Sequence, residues 1–321
     1  SVVKELIKII NRIIDYKREN GKRIQNFRTD FSIFKILNNI PSDYITENHL
    51  SFIKNSLEID FHSGLIGSEL SKGFITKLTT DDKKELLLKL VDVVCSYKTI
   101  NNDIEPLIEE YWFAGLIKKH KERLAEYSGK QIIDIIITII KEIKNQDSGS
   151  FNVVWIPTIE SHEQKSFPER YEAQLIDLFV ECLIHLENDT LVEKIRMLLE
   201  DDFDIFRRVG IYLVNQKFEI LNKLLFNLKY NPLEDYNLKH EIYELLKSNA
   251  TKFSEDQIKV IIKWIEGKNY YLDNIKPEEK DGILAYRKKE WYYPILPSEN
   301  KEIQNLYKKY NEINDKESEH P

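Results

Sequence analysis

A group of chemically capable side chains lies in the middle of the chain, where Glu160, His162 and Glu163 closely follow Trp155. Histidine together with carboxylates can bind zinc or act as a general acid and base. A third strong zinc ligand is not evident beside them, and short motifs without supporting context are weak indicators of a site. The sequence therefore favours the alternative, in which Glu160 and His162 hydrogen-bond exposed helix ends around an irregular loop.

Two short segments match the E-x-K end of a restriction-type nuclease motif, namely Glu163-Gln164-Lys165 and Glu142-Ile143-Lys144. That site needs a pair of strands to present its carboxylates, and neither segment has such a context. The sequence also lacks the glycine spacing of a P-loop or a dinucleotide-binding loop and the H-E-x-x-H zinc motif. We therefore predict that the chain is not an enzyme, with no catalytic residues, no cofactor and no metal site.

Basic side chains cluster in two places that could bind a nucleic acid. One run extends from Lys118 to Arg123, and another, Arg287 to Lys289, precedes the aromatic residues of Trp291 to Tyr293. Basic residues interleaved with aromatic ones can hold a single strand through phosphate contacts and base stacking. The chain has a net charge of -7, however, and on an acidic chain such runs are more often solvated helix faces. Nucleic-acid binding is thus possible but not favoured.

The composition predicts long helices to position these residues. Among 321 residues only 10 are glycine and 9 are proline, the residues that punctuate sheets and tight turns. Hydrophobic residues make up 42% of the chain, which is enough for a sizeable core. The two cysteines, Cys95 and Cys182, lie in apolar helical runs and suit a reducing compartment, and no apolar run is long enough to span a bilayer. We predict an all-α, cytoplasmic protein that is not membrane-bound.

Apolar residues at helical spacing divide the chain into helices joined by short links. The predicted helices are Val2 to Asn20, Asp30 to Asn39, Thr46 to Leu57, Lys83 to Tyr97, Pro106 to Ala125, Gln131 to Lys144, Glu172 to Leu186, Thr190 to Asp201, Ile205 to Asn215, Glu219 to Leu228, Leu238 to Lys247, Glu255 to Glu266 and Lys301 to Tyr310. Asp60 to Gly73 holds three glycines and is predicted to be the least regular stretch of the first half. Pairs of roughly 40 residues are typical of HEAT-like repeats, so we predict an irregular HEAT-like α-solenoid of stacked helix pairs.

The longest predicted non-helical segment, Asn145 to Arg170, is the best candidate for a boundary. We therefore predict an N-terminal helical half at 1–150, a C-terminal helical-repeat half at 151–313 and a frayed, charged tail at 314–321. The chain begins at Ser1, enters a helical pattern at once and has Met197 as its only methionine. We expect a fragment of a longer protein; the alternative is removal of an initiator methionine before serine.

Several segments carry a resemblance to a known family. They are Trp155 to Glu163, Leu175 to Val180, Ile195 to Leu199, Phe206 to Ile211, His240 to Leu246 and Ile262 to Gly267. These segments resemble the helical C-terminal region of bacterial antiphage STAND-type NTPases, the Avs group, and of related sirtuin-fused defence proteins. The resemblance implies an antiviral sensor domain of helical repeats that binds a phage protein and signals to NTPase and effector domains, neither of which this sequence contains. The family motif matches at Trp155, Pro157, Ile159, Glu160 and His162, for which we infer a structural role.

The expected function is therefore recognition of a protein ligand, of phage origin by the resemblance. The alternatives are a nucleic-acid-binding helical module and an enzyme with an unusual site around Glu160 and His162. The 17 tyrosines and 4 tryptophans exceed the needs of an isoleucine-rich core, so some should be exposed as binding anchors. We expect most anchors between Trp155 and Tyr293. The binding residues to test first are Arg207, Arg208, Trp291 and Tyr292, although the arginines could instead complete an ion-pair network with nearby aspartates, and Trp291 could pack against Pro294 and Pro297.

Overall fold

The computed structural model describes residues 2–19, 23, 26–101, 103–146, 149–154, 156, 158–160 and 170–315. Within these residues the chain forms 14 α-helices and one two-stranded hairpin. The predicted all-α class is confirmed. The HEAT-like stacking of the helix pairs stays a prediction.

The chain separates into two compact units. Unit 1 comprises Ser1–Phe151 and Ser166–Leu186, and unit 2 comprises Asn152–Lys165 and Glu187–Pro321. The helix Tyr171–Ile184 belongs to unit 1, although it follows residue 150 in the sequence. The described residues between Asn145 and Tyr171 form no helix or strand.

Unit 1 contains seven helices and the hairpin among its described residues. These are α1 (Val2–Asp15), α2 (Phe27–Asn39), α3 (Glu47–Leu57), α4 (Asp60–Thr80), α5 (Lys84–Cys95), β1 (Tyr97–Ile100), β2 (Asp103–Pro106), α6 (Glu110–Asn145) and α7 (Tyr171–Ile184). Helix α6 packs against α4, α5 and α7. Its isoleucines Ile132, Ile133, Ile136, Ile139, Ile140 and Ile143 are all buried. The second part of α6 is therefore a core element of unit 1.

The predicted irregularity of Asp60 to Gly73 is wrong, because this segment belongs to the continuous helix α4. Its glycines allow a close approach instead of breaking the helix. A Cβ atom on Gly67 would lie 2.8 Å from Ile108 Cγ2 and 3.0 Å from Trp112 Cβ. Glycine therefore lets the Ile108–Trp112 region lie directly against the backbone of α4.

A further local prediction in unit 1 is wrong. Pro106 begins no helix; it ends β2, where it pairs with Tyr97 across the hairpin, and Asn101 adopts a positive φ of 52° at the turn.

The break predicted between two helices near Ser128 is present. Helix α6 consists of two helical segments that meet at Ser128, whose backbone is non-helical (φ -148°, ψ 22°). The segments are joined by a kink instead of a loop.

Unit 2 contains the remaining seven helices of the described chain. They are α8 (Asn188–Leu199), α9 (Asp204–Gln216), α10 (Phe218–Phe226), α11 (Lys239–Ser248), α12 (Glu255–Gly267), α13 (Pro277–Tyr292) and α14 (Lys301–Ile313). Short 3-10 turns at Pro232–Glu234 and Tyr236–Leu238 connect α10 to α11. Helix α12 begins with a capping box, since the main-chain amide of Gln257 donates to Ser254 Oγ and the main-chain amide of Ser254 donates to Gln257 Oε1. Helix α9 packs against α8, α10 and α11 and carries much of the core.

Candidate functional site

Only part of the predicted site around Glu160 and His162 can be described. Trp155, Pro157, His162 and Glu163 lie outside the described residues. Glu160 is half-buried, and its main-chain oxygen accepts a hydrogen bond from Thr158 Oγ1 at 3.0 Å. Within the described part of the chain, no group of three histidine, cysteine, aspartate or glutamate side chains lies close enough to hold a metal.

Arg208 is a buried structural residue, not an exposed anchor. Its side chain, 1% exposed, forms a forked ion pair with Glu241, with Nη2 2.8 Å from Oε1 and Nε 3.1 Å from Oε2. Arg208 Nη1 also donates to the Ile156 carbonyl at 2.6 Å, and the Ile159 amide donates to Glu241 Oε1 at 3.4 Å. The pair thus connects α9 and α11 to the segment that contains Ile156 and Ile159, and the expectation that Arg208 is exposed is wrong.

Arg207 projects from the same helix towards two aspartates. Its guanidinium pairs with Asp204 one turn earlier and with Asp235 Oδ2 at 2.7 Å. Burial lowers the pKa of Arg207, but the hydrogen bond to Asp204 and the charge of Asp235 outweigh that effect and raise it. Arg207 therefore forms the ion-pair network with nearby aspartates that the sequence offered as the alternative to a binding anchor.

The two aromatic anchors expected on α13 are also buried. Trp291 is 3% exposed and its ring lies 6.4 Å from that of Tyr243. Tyr292 is 0% exposed; its hydroxyl donates to Glu266 Oε1 at 2.8 Å, and its ring stacks on Tyr310. The expectation that these rings are exposed is wrong, because an aromatic residue within a helix packs against the neighbouring helices when it lies on the core side.

The two basic runs are largely engaged within the protein. Lys288 pairs with Glu266, and Lys289 donates to Asn311 Oδ1 and the Asn314 carbonyl. In the first run, the charged groups hydrogen-bond nearby helices of unit 1: Lys119 bonds the Ser71 carbonyl, Lys121 bonds Asp177, and Arg123 bonds Thr79. Carboxylates therefore neutralise Lys121 and Lys288, whereas Lys119 and Arg123 bond neutral oxygens.

A concave site of about 410 Å³ lies in unit 2, and we call it the unit 2 pocket. It is formed by the 3-10 turns before α11, the start of α11, the Lys268–Tyr271 segment after α12, and one face of α13. Its volume falls in the range of ordinary ligand sites. Arg287, the first residue of the second basic run, lines it.

Aromatic side chains form both the rim and the floor of the unit 2 pocket. At the rim, Tyr236 is 77% exposed and Tyr271 is 68% exposed. Buried Tyr270, Trp291 and Leu233 contribute to its lining. Trp291 is therefore not an exposed anchor, but it forms part of the pocket lining.

Three cations and two carboxylates line the unit 2 pocket. Lys239 pairs with Glu290 at 2.8 Å, and Glu234 accepts a hydrogen bond from the Asn269 amide at 2.8 Å. Lys268 and Arg287 differ from Lys239, because they donate to the main-chain carbonyls of Leu233 and Tyr270. Within the described residues, neither forms an ion pair with a carboxylate. Three positive charges minus two negative ones leave one net positive charge in the lining.

Burial is the main cause that lowers the pKa of Lys268. The charges of Glu234 and Asp235 oppose the change, while those of Lys239 and Arg287 lower the pKa further. An ammonium group in this situation is stabilised by an added anion, since opposite charge favours its protonated form. The unit 2 pocket can therefore accept an anionic group between aromatic walls.

No sequence pattern indicates this pocket, although Arg287 belongs to the second basic run and Trp291 to the aromatic residues after it. Tyr236 and Tyr271 lie in short links between helices, and Tyr271 has a positive φ of 48°. Functional side chains are often carried on such links, held in place by a rigid scaffold. A tyrosine in a short inter-helix link was the available signal.

Comparison with family models, curated proteins and solved structures found no match to the chain. Among the described helices, none combines the length and apolar character needed to cross a membrane.

Proposed function

We propose that this chain is a recognition module that binds another protein. By the sequence resemblance, the ligand is a phage protein, and the binding event is passed to NTPase and effector domains in a bacterial defence system. The free, buried cysteines Cys95 and Cys182 suit the cytoplasm, where such a module would act.

The observation that carries this proposal is the pairing of exposed tyrosines with a concave, aromatic-walled site. Tyrosine, tryptophan and arginine dominate the binding energy of protein interfaces, and they act best in pockets from which water is excluded. The unit 2 pocket presents Tyr236 and Tyr271 at its rim and Arg287 and Trp291 in its lining. A large, exposed aromatic residue contributes little to the free energy of folding, so its surface is available to a partner.

Nucleic-acid binding is less well supported by the same structure. Such binding depends on many phosphate contacts from unpaired lysines and arginines. Each of the two basic runs has a cation already paired with a carboxylate, Lys121 with Asp177 and Lys288 with Glu266. Protein recognition is therefore the function we favour.

The test is binding of the full chain to individually purified virion proteins of tailed phages, measured one protein at a time by biolayer interferometry. We expect saturable binding of at least one of them. Tyr236→Ala and Tyr271→Ala should each weaken it by about tenfold or more, the usual size of an interface hot spot.

The matched control is Tyr16→Ala, because Tyr16 is also well exposed but lies at the end of α1 in unit 1. This variant should bind within twofold of the wild-type chain. Equal binding by the wild type and both pocket variants would remove the pocket from the proposal. Binding of an oligonucleotide that falls steeply with added salt, without binding of any virion protein, would favour the nucleic-acid alternative.

A further inference from the structure

We propose that the unit 2 pocket binds a single carboxylate group of an acidic partner segment that carries aromatic residues beside it, with Lys268 and Arg287 as its cationic contacts. This inference rests on the proposed function and specifies the chemistry of the protein ligand. It assigns the pocket an anion-binding role that neither the sequence motifs nor the resemblance provides.

The charge of the lining selects the type of anion. One carboxylate neutralises the net positive charge left by Lys239, Lys268 and Arg287 against Glu234 and Glu290. A phosphate monoester carries a charge of about -1.5 to -2 near pH 7, so it would leave negative charge uncompensated beside two existing carboxylates. A polyanion would be repelled further, on a chain whose own net charge is -7. The lining therefore matches a carboxylate better than a nucleotide or a nucleic acid.

The hydrogen-bonding capacity of the two cations points to the same ligand. Arg287 uses Nη1 to bond the Tyr270 carbonyl, and a guanidinium has five N–H donors in a planar fork that matches a carboxylate. Lys268 bonds the Leu233 carbonyl and has three N–H donors in all. Both cations are therefore held in place by the main chain while donors remain for a ligand.

The aromatic side chains of the pocket are the reason we expect aromatic residues beside the carboxylate in the partner segment. Tyr270 and Trp291 are almost fully buried but line the pocket, and Tyr236 and Tyr271 stand at its edge. Aromatic rings prefer offset or edge-to-face contact with other rings, and such pairs add to simple burial of apolar surface. A phenylalanine or tyrosine next to the acidic residue would make this contact.

The experiment is an NMR titration of the full chain, labelled at its tyrosine rings, with three capped peptides. The peptides are acetyl-Phe-Glu-Phe-amide and its counterparts with glutamine or lysine in the central position. Adenosine monophosphate and a short oligothymidylate form a second arm. We expect the glutamate peptide to bind at least fivefold more tightly than the glutamine peptide, and the lysine peptide to bind more weakly than either.

Charge-removing variants connect this discrimination to the pocket. Lys268→Gln retains a donor for the Leu233 carbonyl and should reduce the preference for glutamate over glutamine to within twofold, and Arg287→Gln should do the same. The control is Lys263→Gln, an exposed lysine of α12 outside the pocket, which should retain the full preference. Circular dichroism of each variant verifies its folding, and Lys268→Gln remains decisive if Arg287→Gln does not fold.

Equal affinity for the glutamate and glutamine peptides, or no binding of any peptide, would overturn the inference. Tighter binding of adenosine monophosphate or oligothymidylate than of the glutamate peptide would overturn it in favour of a phosphate ligand. None of these results depends on the virion-protein measurements. A virion protein that binds through Tyr236 and Tyr271 but shows no dependence on Lys268 or Arg287 would uphold the proposed function and reject the carboxylate.

Discussion

His49 is buried and holds hydrogen bonds that require its neutral form. The Thr46 amide donates to Nδ1 at 3.0 Å, and Nε2 donates to Asn11 Oδ1 at 2.9 Å, which joins α3 to α1. Burial lowers the pKa of His49 below 6.5, while the charge of Asp15 opposes this. Because the folded pKa is the lower one, the contribution to stability is complete above pH 6.5 and is lost as the pH falls through the folded pKa.

We therefore expect the free energy of unfolding to decrease from pH 7 to pH 5 more in the wild type than in His49→Gln. Glutamine can accept the same Thr46 amide bond in a capping box but does not gain a proton in this range. Urea unfolding at several pH values measures the difference between the two proteins. Parallel pH profiles would show that His49 is not the responsible group.

The buried pair of Arg208 and Glu241 predicts a strongly non-additive response to mutation. Arg208→Met leaves a buried carboxylate without its cation and should lower the free energy of unfolding by about 3–5 kcal/mol. The double variant Arg208→Met/Glu241→Leu should lose less than the sum of the two single variants, because it leaves no isolated charge. Arg207→Met is the neighbouring control and should cost less, since its side chain is partly exposed at 19%. Additive single losses would contradict this account.

At the scale of the elements, the sequence predicted most helices but misinterpreted several boundaries. Apolar spacing was sufficient to predict α12, because it is a local signal. The sequence did not predict that α4 is one continuous helix, because its glycines resemble helix breaks. Gly67 instead allows close contact with Ile108 and Trp112, which are distant in the sequence. The hairpin after Cys95 was missed since its strands are only four residues each.

Two glycines of α4 provide a matched pair of substitutions. Gly67→Ala should lower the free energy of unfolding by about 1–3 kcal/mol, as overpacking of a close contact does. Gly73→Ala should instead raise it by about 0.5–1 kcal/mol, because alanine is the better helix former and a Cβ at Gly73 meets nothing within 4 Å. Thermal unfolding of both variants tests this, and equal effects would show that the approach of Trp112 is not tight.

At the scale of the whole molecule, both cysteines are buried in unit 1 and should react only when that unit opens. Burial raises the pKa of the Cys95 thiol, and it raises that of Cys182 to about 12, so the reactive thiolate is scarce. We expect negligible labelling by a thiol reagent in the native protein and labelling of both thiols in urea. Gly67→Ala should accelerate labelling, whereas rapid labelling of the native wild type would contradict the burial of these side chains.

The sequence also predicted correctly that some aromatic residues would be exposed, but it chose the wrong ones. Tyr16, Tyr111, Tyr236 and Tyr271 are well exposed, whereas Trp291 and Tyr292 are buried. The number of aromatic residues indicates that some of them must be exposed. Which ones are exposed and which are buried depends on how the helices pack. That packing involves contacts such as Tyr243 with Trp291, which no local pattern encodes.

The backbone conformation of Tyr271 lowers the stability of the fold, while its side chain is proposed to bind the partner. With φ of 48°, this residue adopts a left-handed conformation that suits glycine, and a side chain there costs about 1–2 kcal/mol. The exposed ring gains little from folding to offset that cost. Tyr271→Gly should therefore leave the melting temperature unchanged or higher, while partner binding falls as in Tyr271→Ala. A protein selected in the laboratory for heat resistance alone would be expected to discard this tyrosine, and with it part of its ability to detect its ligand.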